Sequence, residues 1–193
     1  MGNRERDAPR CERCRMLVPG CVCALIPRLH TRTRLLLILH AAEAKKPTNT
    51  GRLAALCTDN SQVLVRGRQN EPLDLGFLAG QNAVVLCPDE SATIAAPLTT
   101  PITLIVPDGS WRQASKMPRR EPMLRDLPRI RLPPRSPRVP ALRRETKQNG
   151  LATFVAIAHE LGIIEDPAIE RAWLAFYDVV AERILRARLG QVS

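Results

Sequence analysis

Aromatic side chains are nearly missing from this chain: among 193 residues there are two Trp, one Tyr and three Phe. A protein that stacks the bases of an extended single strand on a sheet needs more ring surface than that. Long apolar runs are missing too. Leu35–Leu39 is typical of the apolar stretches present, and it falls far short of the ~20 residues that span a bilayer. The opening MGNRERDAPRCERC is charged and has no apolar segment, so no secretory leader or membrane partner is expected. Its Met-Gly start does not continue into a myristoylation signal. The cytoplasm is the expected compartment.

Acid is the third shortage. Nineteen Asp and Glu oppose 29 Lys and Arg, for a net charge of +10. Such a surplus calls for an anionic partner, with nucleic acid ahead of a membrane surface. Its location sharpens the point. From Lys116 to Gln148, eleven basic residues face three acids, and the same segment holds seven prolines. So many prolines forbid one continuous basic helix. A Pro-rich basic strap suits phosphate contacts, and with so few aromatics a folded RNA fits better than an extended one; a solvated charged loop is the plainer reading.

Cysteine, by contrast, is concentrated. Four of the six lie in CERCRMLVPGCVC: Cys11, Cys14, Cys21 and Cys23. A C-x-x-C pair on a tight turn supplies two zinc ligands, and the C-x-C after Pro19-Gly20 supplies two more. Arg10, Arg13 and Arg15 would offset the charge of four thiolates. A disulfide framework does not suit a chain without a leader, and a redox pair lacks its strand and helix. Four Cys leave no open coordination position, so structural zinc is expected, holding together a module too small to fold on burial alone. Cys57 and Cys87 lie in apolar runs and read as buried small residues.

Beyond that module the pattern is α/β. Strands are expected at Arg34 to about Leu39, 62–67, 83–88 and 102–106, apolar enough for a mainly parallel sheet covered by helices on both faces. PTNTGRLAALC (47–57) reads as a helix capped by Thr48 or Thr50. LATFVAIAHELG (151–162) reads as a second, stopped by Gly162. A third opens on Asp166 as cap with Pro167 in the first turn, and its stripe Ile169, Ala172, Trp173, Phe176, Tyr177, Val180 and Ile184 makes Trp173 a core or interface residue. In such sheets ligands gather beyond the carboxyl ends of the strands. Polar or special residues stand at three of those ends: His40 with Glu43, Pro88 to Ser91, and Pro107-Asp108-Gly109-Ser110-Trp111.

Together, the four-Cys cluster, HAAEAKKPTNTGRLA (40–54), PDGSW (107–111) and the Arg-rich run into GLATF (150–154) resemble the DTW-domain proteins, the tRNA-uridine aminocarboxypropyltransferases. The pieces keep the family's order and span nearly the whole chain. The family's Asp-x-Thr-Trp motif is Asp108-Gly109-Ser110-Trp111 here, and Ser keeps the hydroxyl. Val155 departs from the pattern, since many members carry Glu two residues after the Thr that matches Thr153. The resemblance implies a SPOUT-like fold with a C-terminal trefoil knot, which base rates argue against. It further implies a zinc module over residues 1–30 and a catalytic domain over 31–193. The implied reaction moves the 3-amino-3-carboxypropyl group of S-adenosylmethionine to N3 of a tRNA uridine and releases methylthioadenosine.

The residues carried over have the right chemistry for such a site. Asp108 is the general base, or holds the donor's amino group, or braces the turn. Gly109 lets backbone approach the donor, and Ser110 bonds the donor or orients Asp108. Trp111 is a wall of the site or a core residue of the next helix. By analogy of fold, Cys87 and Pro88 belong to a donor-pocket loop, and Pro133 to Ser136 to another. His40, Glu43, Asn49, Thr50 and Arg52 are candidate substrate contacts, with capping and structural roles as the plain alternatives for Thr50 and His40. Arg138, Arg143 and Arg144, leading to Thr153, suit tRNA phosphate or the donor carboxylate. Two rival functions stay open, an RNA methyltransferase using the same donor and a non-catalytic zinc-stabilised RNA-binding protein. Monomer and homodimer are equally open.

Overall fold

The computed structural model describes residues 9–44, 46, 49–69, 71–89, 91–134 and 151–191. Six strands form one sheet: β1 (Arg34–His40), β2 (Ser61–Arg66), β3 (Ala83–Leu86), β4 (Thr93–Ile94), β5 (Thr103–Asp108) and β6 (Arg129–Arg131). Their order is β2-β1-β5-β3-β6-β4, and every pairing is parallel. The expected parallel α/β architecture is therefore present. The trefoil knot turns on the path of the chain between Pro134 and Leu151, which lies outside the described residues.

Alternation along the strands divides the core in two. Leu35, Leu37 and Leu39 of β1, with Leu104 and Val106 of β5, join one cluster. It is closed by α2 (Thr50–Ala55), α5 (Thr153–Ile164) and α6 (Pro167–Arg188). Leu36, Ile38 and Ile105 face the other way, against Met117 of α3 (Trp111–Arg120) and Leu124 of α4 (Pro122–Arg125). A four-residue helix, α1 (Ala41–Ala44), follows β1 directly. The four-Cys segment belongs to the first cluster: Met16, Val22 and Ile26 are buried in it, and Arg183 of α6 donates to the Cys21 carbonyl.

Several boundaries differ from the sequence expectation, each for a local reason. β5 runs on through Pro107 to Asp108, both buried, because β1 continues beside it and pairs Leu39 with Asp108. α2 is capped by Asn49, whose side chain accepts from the Arg52 amide at 3.0 Å; Thr50 is its first residue, and Thr48 lies outside the described residues. Gly162 does not stop α5, which continues to Ile164. A Cβ there would sit 2.6 Å from Glu170 Cβ, so this glycine lets α5 and α6 approach closely. Strands β4 and β6, two and three residues long, are too short to carry a readable period. The cap at Asp166, accepting from the Ala168 amide at 2.6 Å, and the fully buried Trp173 are as expected.

The basic strap is divided. Its first part forms the end of α3, with Pro118 inside the helix, then α4 and β6. Its remainder, with Arg138, Arg143 and Arg144, lies outside the described residues.

Candidate active site

Asp108 is the last residue of β5, and period two sends its side chain to the same face as Leu104 and Val106, towards α2 and α5. There it is 5% exposed. Asn49 Nδ2 donates to its Oδ2 at 2.7 Å, and Thr153 Oγ1 donates to its Oδ1 at 2.7 Å. One carboxylate thus joins the start of α2, the start of α5 and the end of the central strand. Gly51 makes room for it, since a Cβ at that position would lie 2.5 Å from Asp108 Oδ2. Gly51→Ala is therefore expected to cost about 1–3 kcal/mol, the usual penalty for overpacking, and to lower Tm by several degrees. An unchanged melting curve would mean that Asp108 is not held this tightly.

Beyond the carboxyl ends of β3, β5 and β6 lies a cavity of about 340 Å³, within the range of small-ligand sites. Cys87, Pro88 and Asp89 line one side; Gly109, Trp111 and Ala114 line the next; Arg131, Leu132 and Pro133 follow; and Leu151, Thr153 and Ala156 close it. Its deep wall is apolar, from Leu86, Val106 and Leu132. Two opposite charges stand on its lining, Asp89 and Arg131. Asp89 is held below the usual carboxylate range by the hydroxyl and amide of Ser91 and by Arg119, 2.9 Å away. Burial pushes the Cys87 thiol up, which suits a neutral wall better than a nucleophile.

On the opposite face of the sheet is a second cleft, of about 320 Å³, lined by His40, Arg66, Ser110, Arg112, Gln113, Lys116, Met117 and Arg120. Register explains it: β1 and β2 end level, with His40 beside Arg66. Ser110 caps α3 in a reciprocal box with Gln113, whose amide nitrogen also lies 3.2 Å from His40 Nδ1. The Ser110 hydroxyl accepts from the Gln113 backbone N–H at 3.4 Å. Gly109 has a crowding reason of its own, because a Cβ would lie 2.9 Å from Gln113 Cβ.

A family model described as DTW domain matches residues 8–185. The chain belongs to the DTW domain family. It is 28% identical over 169 residues to tRNA-uridine aminocarboxypropyltransferase 2 of Macaca fascicularis, an alignment covering 81% of this chain and 57% of that protein. The chain thus spans little more than half the length of that relative. No solved structure matches it.

Within this DTW domain, the sequence-predicted residues separate into three groups. Asn49, Asp108 and Thr153 form one hydrogen-bonded set; Cys87, Pro88, Gly109, Trp111, Pro133 and Thr153 line the cavity; His40 and Ser110 line the basic cleft. Trp111 is half-buried as the first residue of α3 and faces the cavity rather than the core. Glu43 is buried and paired with Lys46 at 2.5 Å, outside both linings. Arg52, half-buried in the first turn of α2, feels burial first and then the Arg15 guanidinium, which together lower its pKa. Sequence reasoning missed Gly51, Arg66, Arg112, Gln113, Lys116 and Arg120 as site residues. The i, i+4, i+8 spacing of Arg112, Lys116 and Arg120 in WRQASKMPRR is the signal that would have found three of them.

The four sulfurs of the DTW domain's N-terminal segment all lie within 4.8 Å of one another. Cys11 and Cys23 are 3.5 Å apart, and Cys14 and Cys21 are 3.7 Å apart. Tetrahedral zinc with bonds of about 2.3 Å separates its sulfurs by about 3.8 Å, so the cluster has the dimensions of a closed zinc site. The amides of Cys14 and Arg13, hydrogen-bonded to Cys11, pull its thiol down to about 6. Burial, reinforced by the neighbouring sulfurs, pushes Cys23 up to about 12. Without a cation the four thiolates could not coexist at these distances.

Proposed function

We propose that this DTW domain is a tRNA-modifying transferase that moves the 3-amino-3-carboxypropyl group of S-adenosylmethionine to N3 of a uridine. The observation that carries the reading is the cavity at the strand ends. It has an apolar wall with Trp111, and it carries one carboxylate, Asp89, and one guanidinium, Arg131. That charge pair complements the ammonium and carboxylate of an amino-acid tail, and the apolar wall suits a nucleoside.

The donor supplies a sulfonium-activated γ-carbon. A bond forms from uridine N3 to that carbon while the carbon–sulfur bond breaks. The electron pair stays on sulfur, methylthioadenosine leaves neutral, and the N3 proton passes to a base. Trp111 and Pro133 fix the donor's orientation, so that its longest arm faces the entering uracil; selectivity over methyl transfer is positional. Asp108 holds α2, β5 and α5 in register behind the cavity, one residue from Gly109 and hydrogen-bonded to Thr153 of its lining, and is the candidate base for the N3 proton. Each of its oxygens keeps a second lone pair beside the bonds to Asn49 and Thr153, so it can take the proton with both partners in place. Zinc, held by Cys11, Cys14, Cys21 and Cys23, is structural, and tRNA is the macromolecular partner.

Incubation with unmodified tRNA and S-adenosylmethionine tests this. Methylthioadenosine is the expected product. S-adenosylhomocysteine in its place would make the protein a methyltransferase, and neither product would leave a binding protein.

A further inference from the structure

The cleft between His40 and α3 has no part in holding a donor in the scheme above, yet it gathers four basic side chains, Arg66, Arg112, Lys116 and Arg120, and no acid on its lining. Arg112, Lys116 and Arg120 are exposed on α3 and all line it. Among the described residues none of the three forms an ion pair. Arg66, on the cleft's other wall, is paired with Glu121, which fixes its place at the end of β2. Like charges four apart on a helix repel and destabilise it by a few tenths of a kcal/mol each. Such a row costs stability unless an anion offsets it. Successive charges rise about 6 Å along the helix axis, comparable with the spacing of successive phosphates in a nucleic-acid strand. A single small anion would leave two of the three cations unmatched.

The cleft also sits in a useful place. Ser110 borders it, and its neighbours Gly109 and Trp111 border the cavity, so one turn separates the two. A strand whose phosphates follow α3 arrives at that turn. We infer that Arg112, Lys116 and Arg120, with Arg66, form the groove that takes consecutive backbone phosphates of the RNA and delivers its nucleotide to the cavity. This rests on the reading of the protein as an RNA-modifying enzyme, but its test does not need turnover.

Equilibrium binding of tRNA to the full chain is measured by fluorescence anisotropy across a salt series. The triple variant Arg112→Gln, Lys116→Gln, Arg120→Gln is compared with a control that removes the same charge elsewhere, Arg28→Gln, Arg171→Gln, Arg186→Gln. All six residues are exposed, and thermal melts verify that both variants fold. Each lost phosphate contact flattens the dependence of log affinity on log salt by about 0.7–0.9. The cleft variant is therefore expected to lose about two units of slope and at least tenfold in affinity at low salt, while the control stays within about threefold of wild type. Equal losses in both variants would overturn the inference, and so would a wild-type protein with no affinity for tRNA. Binding of the wild type to anionic phosphatidylserine vesicles, lost in the cleft variant while tRNA binding persists, would make the groove a lipid surface and overturn it equally. Absence of methylthioadenosine would defeat the proposed reaction and leave this binding result standing.

Discussion

Asp108→Asn is expected to lower turnover at least a hundredfold while leaving donor affinity within a few-fold and the fold intact. The carboxylate touches two donors, Asn49 Nδ2 and Thr153 Oγ1, each at 2.7 Å. Asn keeps the shape. Its carbonyl can accept from Asn49, and its amide can donate to the Thr153 hydroxyl, which turns to accept. Stability then changes by only about 1 kcal/mol, the scale of one altered hydrogen bond. What Asn removes is the charge and, with it, the capacity to take the uridine N3 proton in the proposed reaction, a role that acts on kcat rather than on donor affinity. Asp108→Ala is the contrast. It strands the buried Asn49 amide at about 1–3 kcal/mol and leaves the half-buried Thr153 hydroxyl without its acceptor, so its activity loss would mix instability with chemistry. The measurements are kcat with saturating tRNA, donor affinity by calorimetry, and Tm. If Asp108→Asn keeps kcat and loses donor binding, the carboxylate is a donor contact. If it loses Tm by more than about 10 °C, it is a brace and no more.

Removing the metal is expected to have the second large effect. The cluster at Cys11, Cys14, Cys21 and Cys23 has the spacing for one zinc per chain. The side chains between those ligands are part of the main core, with Met16, Val22 and Ile26 buried against the same cluster as α5 and α6. Releasing them would forfeit roughly 1.5–3 kcal/mol apiece. At roughly 2–4 °C per kcal/mol for a domain of this size, Tm falls by about 10–35 °C. Elemental analysis should find one zinc per chain, and differential scanning calorimetry with and without a chelator reads the shift. Acidification should release the metal as well, because protons compete for the thiolates. A melting temperature indifferent to chelation, or a chain purified with disulfides and no metal, would contradict a structural zinc site.

Patterns that recur within a few residues were legible in the sequence. The apolar runs announced β1, β2, β3 and β5, and the Asp166-Pro167 start announced α6. The cysteine spacing announced the cluster, because ligands supplied by one short segment leave their period in that segment. What could not be read depends on contacts distant in sequence. Asn49 and Thr153 meet at Asp108 only because the parallel pairing of β1 and β5 brings α2 and α5 to one end of the sheet. Gly51 carries no signal of its own in the sequence; its reason is the carboxylate of Asp108, which stands 2.5 Å from where a Cβ would be. The division of the site was equally hidden. His40 and Asp108 both end strands, and the sheet's alternation sends one to the α3 cleft and the other to α2 and α5. Ser110, read from the motif as bonding the donor or orienting Asp108, also caps α3. One hydroxyl fits either use, and only the following Gln113, three residues on, hints at the cap.

The central claim is that this cavity presents the donor's long arm, not its methyl group, to a uracil nitrogen. It is tested most directly by mass analysis of nucleosides from tRNA incubated with the pure protein and S-adenosylmethionine. The account predicts a uridine heavier by one aminocarboxypropyl group, attached at N3, with Asp108→Asn giving none. A methylated nucleoside in its place would contradict it.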